Sequence, residues 1–182
     1  MRDSILPVPD VELKADCARC TGLCCVAPAF DADQGFGFDK PAHEPCRHLR
    51  TDDGCAIHAQ LAVRGFPGCV QFDCHGAGQR IAQQFFPGQH WRDSDATSRA
   101  MFDAYSRLLP LHELMAMLAW AVPKVATGTA REEIQRQSRR ISDAGPDIVA
   151  GRGALTTQAL REETLALLRA QLPRAGARDV RS

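Results

Sequence analysis

Hydrophobic and polar positions change their pattern midway along this chain of 182 residues. From Trp91 onward, apolar residues recur at the three- and four-residue spacing that is typical of amphipathic helices. Before that point the apolar runs are short, and glycine, proline and cysteine interrupt them. The pattern predicts a mainly α protein, with a loop-rich cysteine and metal-cluster region at residues 1–90 packed beside a small helical bundle at residues 91–182.

The second half is predicted to contain about four helices. Proline lacks the amide hydrogen that a helix interior needs, so Pro110 is expected to end the first helix and Pro146 to lie beyond the third. Thr129 has the position of a capping-box residue at the start of the third helix, and Thr156 or Thr157 is expected to cap the last. The predicted helices cover about residues 95–109, 111–122, 129–143 and 157–172.

The second predicted helix is strongly apolar. Helical spacing alone explains its Met115, Met117 and Trp120, so we interpret them as core packing rather than as a cofactor site. The longest apolar stretch, residues 114–122, is far shorter than the roughly 20 residues of a membrane span. The first residues contain no apolar run of signal-peptide length. We therefore expect a cytoplasmic protein without a membrane span.

Charge disfavours nucleic acid as a partner. Lys plus Arg and Asp plus Glu both number 22, so the chain has no overall basic field. The arginines of the third predicted helix are interspersed with glutamates, as on a solvated helix face. A protein partner that binds through the helical region is left open. No catalytic triad, carboxylate pair or nucleotide fingerprint stands out, and whether the chain is an enzyme stays undecided.

The cysteines carry the main chemical signal. All eight lie within the first 74 residues. In a reducing cytoplasm such a cluster indicates metal ligation rather than a disulfide framework. Metal ions are therefore the expected partners, and the predicted ligands are Cys17, Cys20, Cys24, Cys25, Cys46, Cys55, Cys69 and Cys74.

The spacing of these cysteines suggests more than one centre. Cys17 and Cys20 form a C-x2-C pair, which lets two thiolates of one turn chelate a single ion. Cys24 and Cys25 are adjacent, so their side chains diverge and favour two centres or one multinuclear cluster. Two four-thiolate sites are the simplest arrangement, and one cluster with spare buried thiols is the next. His58 and His75 are candidate additional nitrogen ligands, with a supporting or surface position as the favoured alternative for each.

The identity of the metal cannot be read from spacing alone, because zinc and iron-sulfur clusters both accept four thiolates. We favour a [4Fe-4S] cluster over Zn²⁺, and a metal-binding function over two alternatives. One alternative is an iron-sulfur redox enzyme or electron-transfer accessory, and the other is a thiol-based copper sensor or storage protein. Removal of the metal is expected to unfold residues 16–80, because that region has few apolar runs of its own.

The order of the cysteines also resembles a known family. The matching segments are Cys17-x2-Cys20-x3-Cys24-Cys25, Cys46-x2-Leu49, Gly54-Cys55-x-Ile57-His58 and Arg64-Gly-Phe-Pro-Gly-Cys69-x2-Phe72. They resemble the CxxCxxxCC cysteine-cluster family, whose members are described as zinc- or iron-chelating domains, and the resemblance implies a metal- or cluster-binding domain. His58 replaces a usual tyrosine, the usual Arg-Pro pair is spread over four residues, and Cys74 is an added thiol.

A longer stretch of the sequence resembles one subgroup of this family. Residues 66–79 are similar to a subgroup found in the N-terminal region of some bacterial pentapeptide-repeat proteins. The 182 residues contain no five-residue repeat.

Overall fold

The computed structural model describes residues 11–172. Within that range no β-sheet forms, and only two isolated antiparallel bridges join Phe30 to Lys40 and Leu49 to Cys55. The prediction of a mainly α protein is confirmed. The α-helices are α1 (Pro67–Gln71), α2 (Ala77–Arg80), α3 (Asp95–Ala121), α4 (Gly128–Val149) and α5 (Thr157–Gln171).

The chain forms two compact units. One covers Glu12–His112, and the other covers Met1–Val11 with Glu113–Ser182, of which residues 11 and 113–172 are described. The division falls inside α3, so the first unit contains the cysteine region together with the N-terminal part of that helix. The domain boundary predicted after residue 90 stays a prediction.

Loops and short turns dominate the first unit before α3. Isolated 3₁₀ turns form at Cys17–Arg19, Leu23–Cys25, Ala32–Gln34 and His58–Gln60. α2 continues into a π-helical turn at Ile81–Phe85. Leu23, Val26 and Ile81 are fully buried, so a small apolar core lies beneath these loops.

The two helices predicted on either side of Pro110 are one continuous helix, α3. A proline inside a helix costs about 3 kcal/mol. Burial of Leu108, Leu111 and Leu114, each at most 2 % exposed, contributes about 1.5–3 kcal/mol per side chain. Burial on both sides of the proline therefore outweighs its local cost, and the predicted break is wrong.

The third predicted helix is also longer than expected. α4 runs through Pro146 to Val149, and its cap is Thr127 rather than Thr129, with the Thr127 hydroxyl accepting from the Ala130 N–H at 3.1 Å. The cap of α5 is Thr156, as predicted. Side chains of the two helices meet, for example where the Gln137 amide donates to the Thr164 hydroxyl at 3.2 Å.

Not all apolar residues of α3 are in the core. Met115 is fully buried, whereas Met117 is 39 % and Trp120 is 59 % exposed, so the core assignment of those two is wrong. The Lys124 ammonium lies over the Trp120 ring, 3.8 Å from its centroid, and covers part of the ring. In the described part of the chain, no helix combines the length and the apolar character that crossing a membrane requires.

Candidate metal centre

All eight cysteines line one cavity in the unit Glu12–His112. The cavity has a volume of about 790 Å³, and none of the eight thiols is in a disulfide. The structure thus brings together every thiol that the sequence analysis predicted as a ligand. These are Cys17, Cys20, Cys24, Cys25, Cys46, Cys55, Cys69 and Cys74.

The thiols surround the cavity without forming a finished coordination sphere. Among residues 11–172, no group of three or more His, Cys, Asp or Glu side chains is placed to hold a metal ion. The sulfurs of Cys24 and Cys25 are 4.0 Å apart. Four thiolates around one zinc ion, at about 2.3 Å from the metal, stand about 3.8 Å from each other. The separation of these two sulfurs is close to that value, but no third ligand side chain completes the set among residues 11–172.

The first ligand segment is shaped by tight turns. The Cys20 N–H donates to the Cys17 carbonyl at 3.3 Å, which closes the turn that carries the C-x2-C pair. Gly22 follows in the left-handed conformation with φ +69°, and a Cβ there would lie 2.9 Å from Leu49 Cδ1. This turn directs the backbone N–H groups of Gly22 and Leu23 to the sulfur of Cys20. Such N–H donors stabilise a thiolate and orient a metal ligand.

The middle cysteines repeat that pattern. The His48 N–H lies 3.4 Å from the sulfur of Cys46, and the Ile57 N–H donates to the sulfur of Cys55. In both cases the donor is two residues after the cysteine. The bridge between Leu49 and Cys55 holds the two turns together. Three of the eight sulfurs therefore receive backbone N–H groups from the turn that follows them.

The last two cysteines lie in or shortly before the first two α-helices. Cys69 lies within α1, and Cys74 precedes α2, where the Ala77 N–H donates to the Cys74 carbonyl at 2.9 Å. The cavity wall at Gly78 has no room for a side chain, because a Cβ there would lie 2.7 Å from the sulfur of Cys20.

Polar contacts attach the loops to the start of α3. The Trp91 indole N–H donates to the Thr21 carbonyl at 2.8 Å, and the Trp91 ring lies 5.9 Å from that of Phe102. The Asp53 carboxylate pairs with Arg92 and, at 2.9 Å, with His90. These contacts keep the turns around Cys20 and Cys55 in place within the unit.

Burial keeps the thiols protonated when no cation is nearby. It raises the pKa of Cys17, Cys46 and Cys55, and it raises the pKa of Cys20 and Cys69 to about 11. Because the thiolate is the form that binds metal, binding must displace these protons. A bound cation would supply the charge that burial denies to the thiolates.

The adjacent pair Cys24 and Cys25 behaves differently. The hydrogen bond between their sulfurs and the burial of Cys24 raise the pKa of Cys24 well above its usual value. The same hydrogen bond lowers the pKa of Cys25 against the effect of burial, and the Lys40 ammonium lowers it further. Cys25 is therefore the more acidic thiol of this pair.

Lys40 places a buried cation beside the cavity. The residue is 4 % exposed, and no carboxylate within the described range forms an ion pair with it. Burial lowers the pKa of Lys40, whereas Cys46 and Cys25 raise it. A buried charge is costly unless hydrogen bonds or an opposite charge compensate it. The ammonium donates to the carbonyls of Val26, Pro28, Pro41 and Glu44 at 2.6–3.3 Å.

Tyr105 places a hydroxyl in the same cavity. The residue is 1 % exposed, and its hydroxyl has no hydrogen-bond partner in the described structure. Burial and the nearby Cys24, Cys74 and Cys20 raise the pKa of Tyr105 well above its usual value. An unsatisfied buried hydroxyl costs about 1–3 kcal/mol. The hydroxyl is thus free to donate to an acceptor held in the cavity.

Sequence reasoning missed both of these residues. Tyr105 is buried in α3, and nothing in the sequence pattern connects that helix to the cysteines. The one usable signal is that Tyr105 is the only tyrosine of the chain. For Lys40 the sequence holds no comparable signal.

Of the two histidines considered as ligands, only one lines the cavity. His58, one of the two predicted nitrogen ligands, lines the cavity. The other, His75, has its Nδ1 3.6 Å from the Asp73 carboxylate and is not one of the described cavity residues. Buried His112 lies 2.6 Å from the His75 carbonyl through Nδ1, and burial lowers its pKa to about 4. Neutral His112 therefore donates to the backbone next to Cys74.

The chain is similar to the uncharacterized protein YybG of Bacillus subtilis (strain 168), with 42 % identity over 104 residues. The match covers 57 % of this chain and 37 % of YybG, so this chain spans little more than a third of that relative. No family model matches the chain. No solved structure matches it. The resemblance to the cysteine-cluster family stays a prediction.

Proposed function

We propose that the protein binds iron or zinc through its thiols, with an iron-sulfur cluster of the [4Fe-4S] type favoured. The observation that carries this proposal is the cavity of about 790 Å³ whose wall contains all eight cysteines. Four thiolates suffice to hold one [4Fe-4S] cluster or one zinc ion. The cavity therefore has enough donors for more than one centre.

The surroundings of the sulfurs support a bound anionic centre. Backbone N–H groups point to the sulfurs of Cys20, Cys46 and Cys55. The buried ammonium of Lys40 and the unpartnered hydroxyl of Tyr105 add a charge and a donor. Thiolates carry more negative charge than the metal neutralises, so hydrogen-bond donors and a cation both stabilise such a centre.

A cluster and a single ion need different separations of their thiolates. Each thiolate of a [4Fe-4S] cluster binds a different iron, so its sulfurs stand farther apart than the roughly 3.8 Å of a zinc site. Within residues 11–172 no three ligand side chains are placed around one ion.

Elemental analysis with a visible absorption spectrum, on protein isolated without oxygen, tests the proposal. We expect iron with acid-labile sulfide and a broad absorption in the visible range. Colourless protein with stoichiometric zinc would support the zinc form and exclude the cluster. The matched control is a buried change outside the cavity, Ser138→Ala on α4, which should leave the metal content unchanged. Absence of metal, with the thiols joined in disulfides, would refute the proposal.

A further inference from the structure

We infer that the eight thiols form two separate four-sulfur centres that meet at Cys24 and Cys25. This inference rests on the proposed function and assigns each thiol to a site. The first centre consists of Cys17, Cys20, Cys24 and Cys74. The second centre consists of Cys25, Cys46, Cys55 and Cys69.

Backbone contacts bring the members of the first centre together. The side chain of Gln79, in α2, accepts from the Asp16 N–H and donates to the Lys14 carbonyl at 3.1 Å. These bonds attach α2 to the segment that directly precedes Cys17. The close approach of Gly78 to the sulfur of Cys20 shows the same docking. Cys74 lies three residues before α2 and is tied to its first residue by the Ala77 N–H, so it lies near Cys17 and Cys20.

A different set of contacts assembles the second centre. The Cys46 N–H donates to the Cys25 carbonyl at 2.9 Å, and the Leu49 N–H donates to the Cys46 carbonyl at 2.9 Å. The bridge from Leu49 to Cys55 adds the third cysteine. The ring of Phe66, next to α1, stands 5.4 Å from the ring of His48 in an edge-to-face contact. That contact brings Cys69, in α1, to the same turn.

Cys24 and Cys25 form the boundary between the centres. Both belong to the 3₁₀ turn Leu23–Cys25, in which neighbouring side chains leave the backbone in different directions. Their sulfurs are 4.0 Å apart, close enough for a hydrogen bond. The chain therefore passes from one centre to the other within a single peptide bond.

The electrostatic neighbours of the thiols follow the same division. After burial, the pKa of Cys69 is raised by Cys25, Cys46 and Cys55. Cys74, followed by Cys17, raises the pKa of Cys20 in addition to its burial. The interactions that cross the division involve Cys25. It raises the pKa of Cys24, and it raises the pKa of Cys17 by less than Cys74 does. Cys25 is the residue at the boundary, so these crossings are expected.

The two centres also have different surroundings. The neutral hydroxyl of Tyr105 lies near Cys24, Cys74 and Cys20, and then near the boundary residue Cys25, whereas the Lys40 ammonium lies near Cys46 and Cys25. A cation stabilises a more negative centre than a neutral donor does. The two centres are therefore chemically distinguishable in one molecule, and a spectrum should resolve them.

Paired substitutions test the division, because a cluster can survive on three cysteines and single changes can leave it in place. Three double variants each lack two thiols. They are Cys17→Ser with Cys74→Ser in the first centre, Cys46→Ser with Cys69→Ser in the second, and Cys74→Ser with Cys69→Ser across both. The readouts are metal and sulfide per chain and the visible or magnetic spectrum, compared with the unsubstituted protein.

Each within-centre variant should keep about half of the metal, and the two retained spectra should add up to the spectrum of the unsubstituted protein. The cross-centre variant should alter both components of the spectrum. If a double variant fails to fold, the single variants Cys74→Ser and Cys69→Ser should each change a different component. Identical losses in all variants would show one shared site and overturn the division, while metal binding itself would stand. An unsubstituted protein without metal would instead overturn the proposed function.

Discussion

The Tyr105 hydroxyl is the single group whose removal best probes the first centre. Tyr105→Phe deletes one buried, unpartnered oxygen and keeps the ring in the core. If the hydroxyl donates to a sulfur of that centre, its loss removes a hydrogen bond to a charged group, worth about 1.5–3 kcal/mol. We expect a chelator to extract metal from the first centre about tenfold faster or more, with the second centre unaffected. Stopped-flow absorption during extraction measures both rates.

Ser138→Ala is the matched control for that variant. Ser138 also has a buried hydroxyl without a partner, but it lies on α4 and not in the cavity. Its removal should leave both extraction rates unchanged. Equal rates for Tyr105→Phe and the unsubstituted protein would mean that the hydroxyl does not face the bound centre.

The candidate ligands could be predicted from the sequence, but Lys40 and Tyr105, which surround them, could not. Eight cysteines in 74 residues are a local property of the chain, and their types alone indicate thiolate ligation. Tyr105 lines the cavity from a helix that begins 21 residues after Cys74, and Lys40 lies near Cys46 and Cys25. No local rule predicts such a contact, because it depends on how α3 meets the loops of its unit.

Among the elements, the start of α3 and the bounds of α5 were predicted well, whereas the helix ends expected at Pro110 and before Pro146 were wrong. The inner faces of α3 follow from periodicity, and Met101, Leu108 and Leu118 are fully buried as that pattern requires. The proline rules failed at Pro110 and Pro146 because they consider only the local backbone. Burial of the residues on both sides is a property of the folded chain, and it outweighs the local cost.

α2 offers a test at the level of one element. Gly78→Ala should favour the helix itself by about 1 kcal/mol, because alanine has the higher helix propensity. The added Cβ, however, would lie 2.7 Å from the sulfur of Cys20, so that sulfur must move. We expect the variant to lower the metal content of the first centre while the second stays loaded, as measured by elemental analysis and spectrum.

Gly128→Ala at the start of α4 is the corresponding control, since a Cβ there meets nothing within 4 Å. It should leave both centres fully loaded. Full loading of the first centre in Gly78→Ala would show that Cys20 is not held at the position the structure gives it.

At the scale of the whole molecule, different interactions stabilise the interior of each unit. In α4 and α5 the backbone groups are satisfied within helices, and Ile134, Ile141 and Leu160 are fully buried. Before α3, the first unit has four 3₁₀ turns, two short α-helices, a π-helical turn and two isolated bridges. Few regular hydrogen bonds and a small core leave that region dependent on additional contacts. Thiolate–metal bonds from eight positions would supply them.

Removal of the metal should therefore act on one part of the chain. Metal binding to thiolate sites can contribute on the order of 10–16 kcal/mol to folding, and that contribution is lost on chelation. We expect residues 16–80 to lose their protection against amide hydrogen exchange when the metal is extracted under reducing conditions, while α4 and α5 keep theirs. Exchange followed by mass spectrometry of peptides from both regions measures this difference. Unchanged protection across residues 16–80 would mean that loop packing alone maintains the fold, and loss throughout the chain would mean that the helices of the second unit depend on the metal as well.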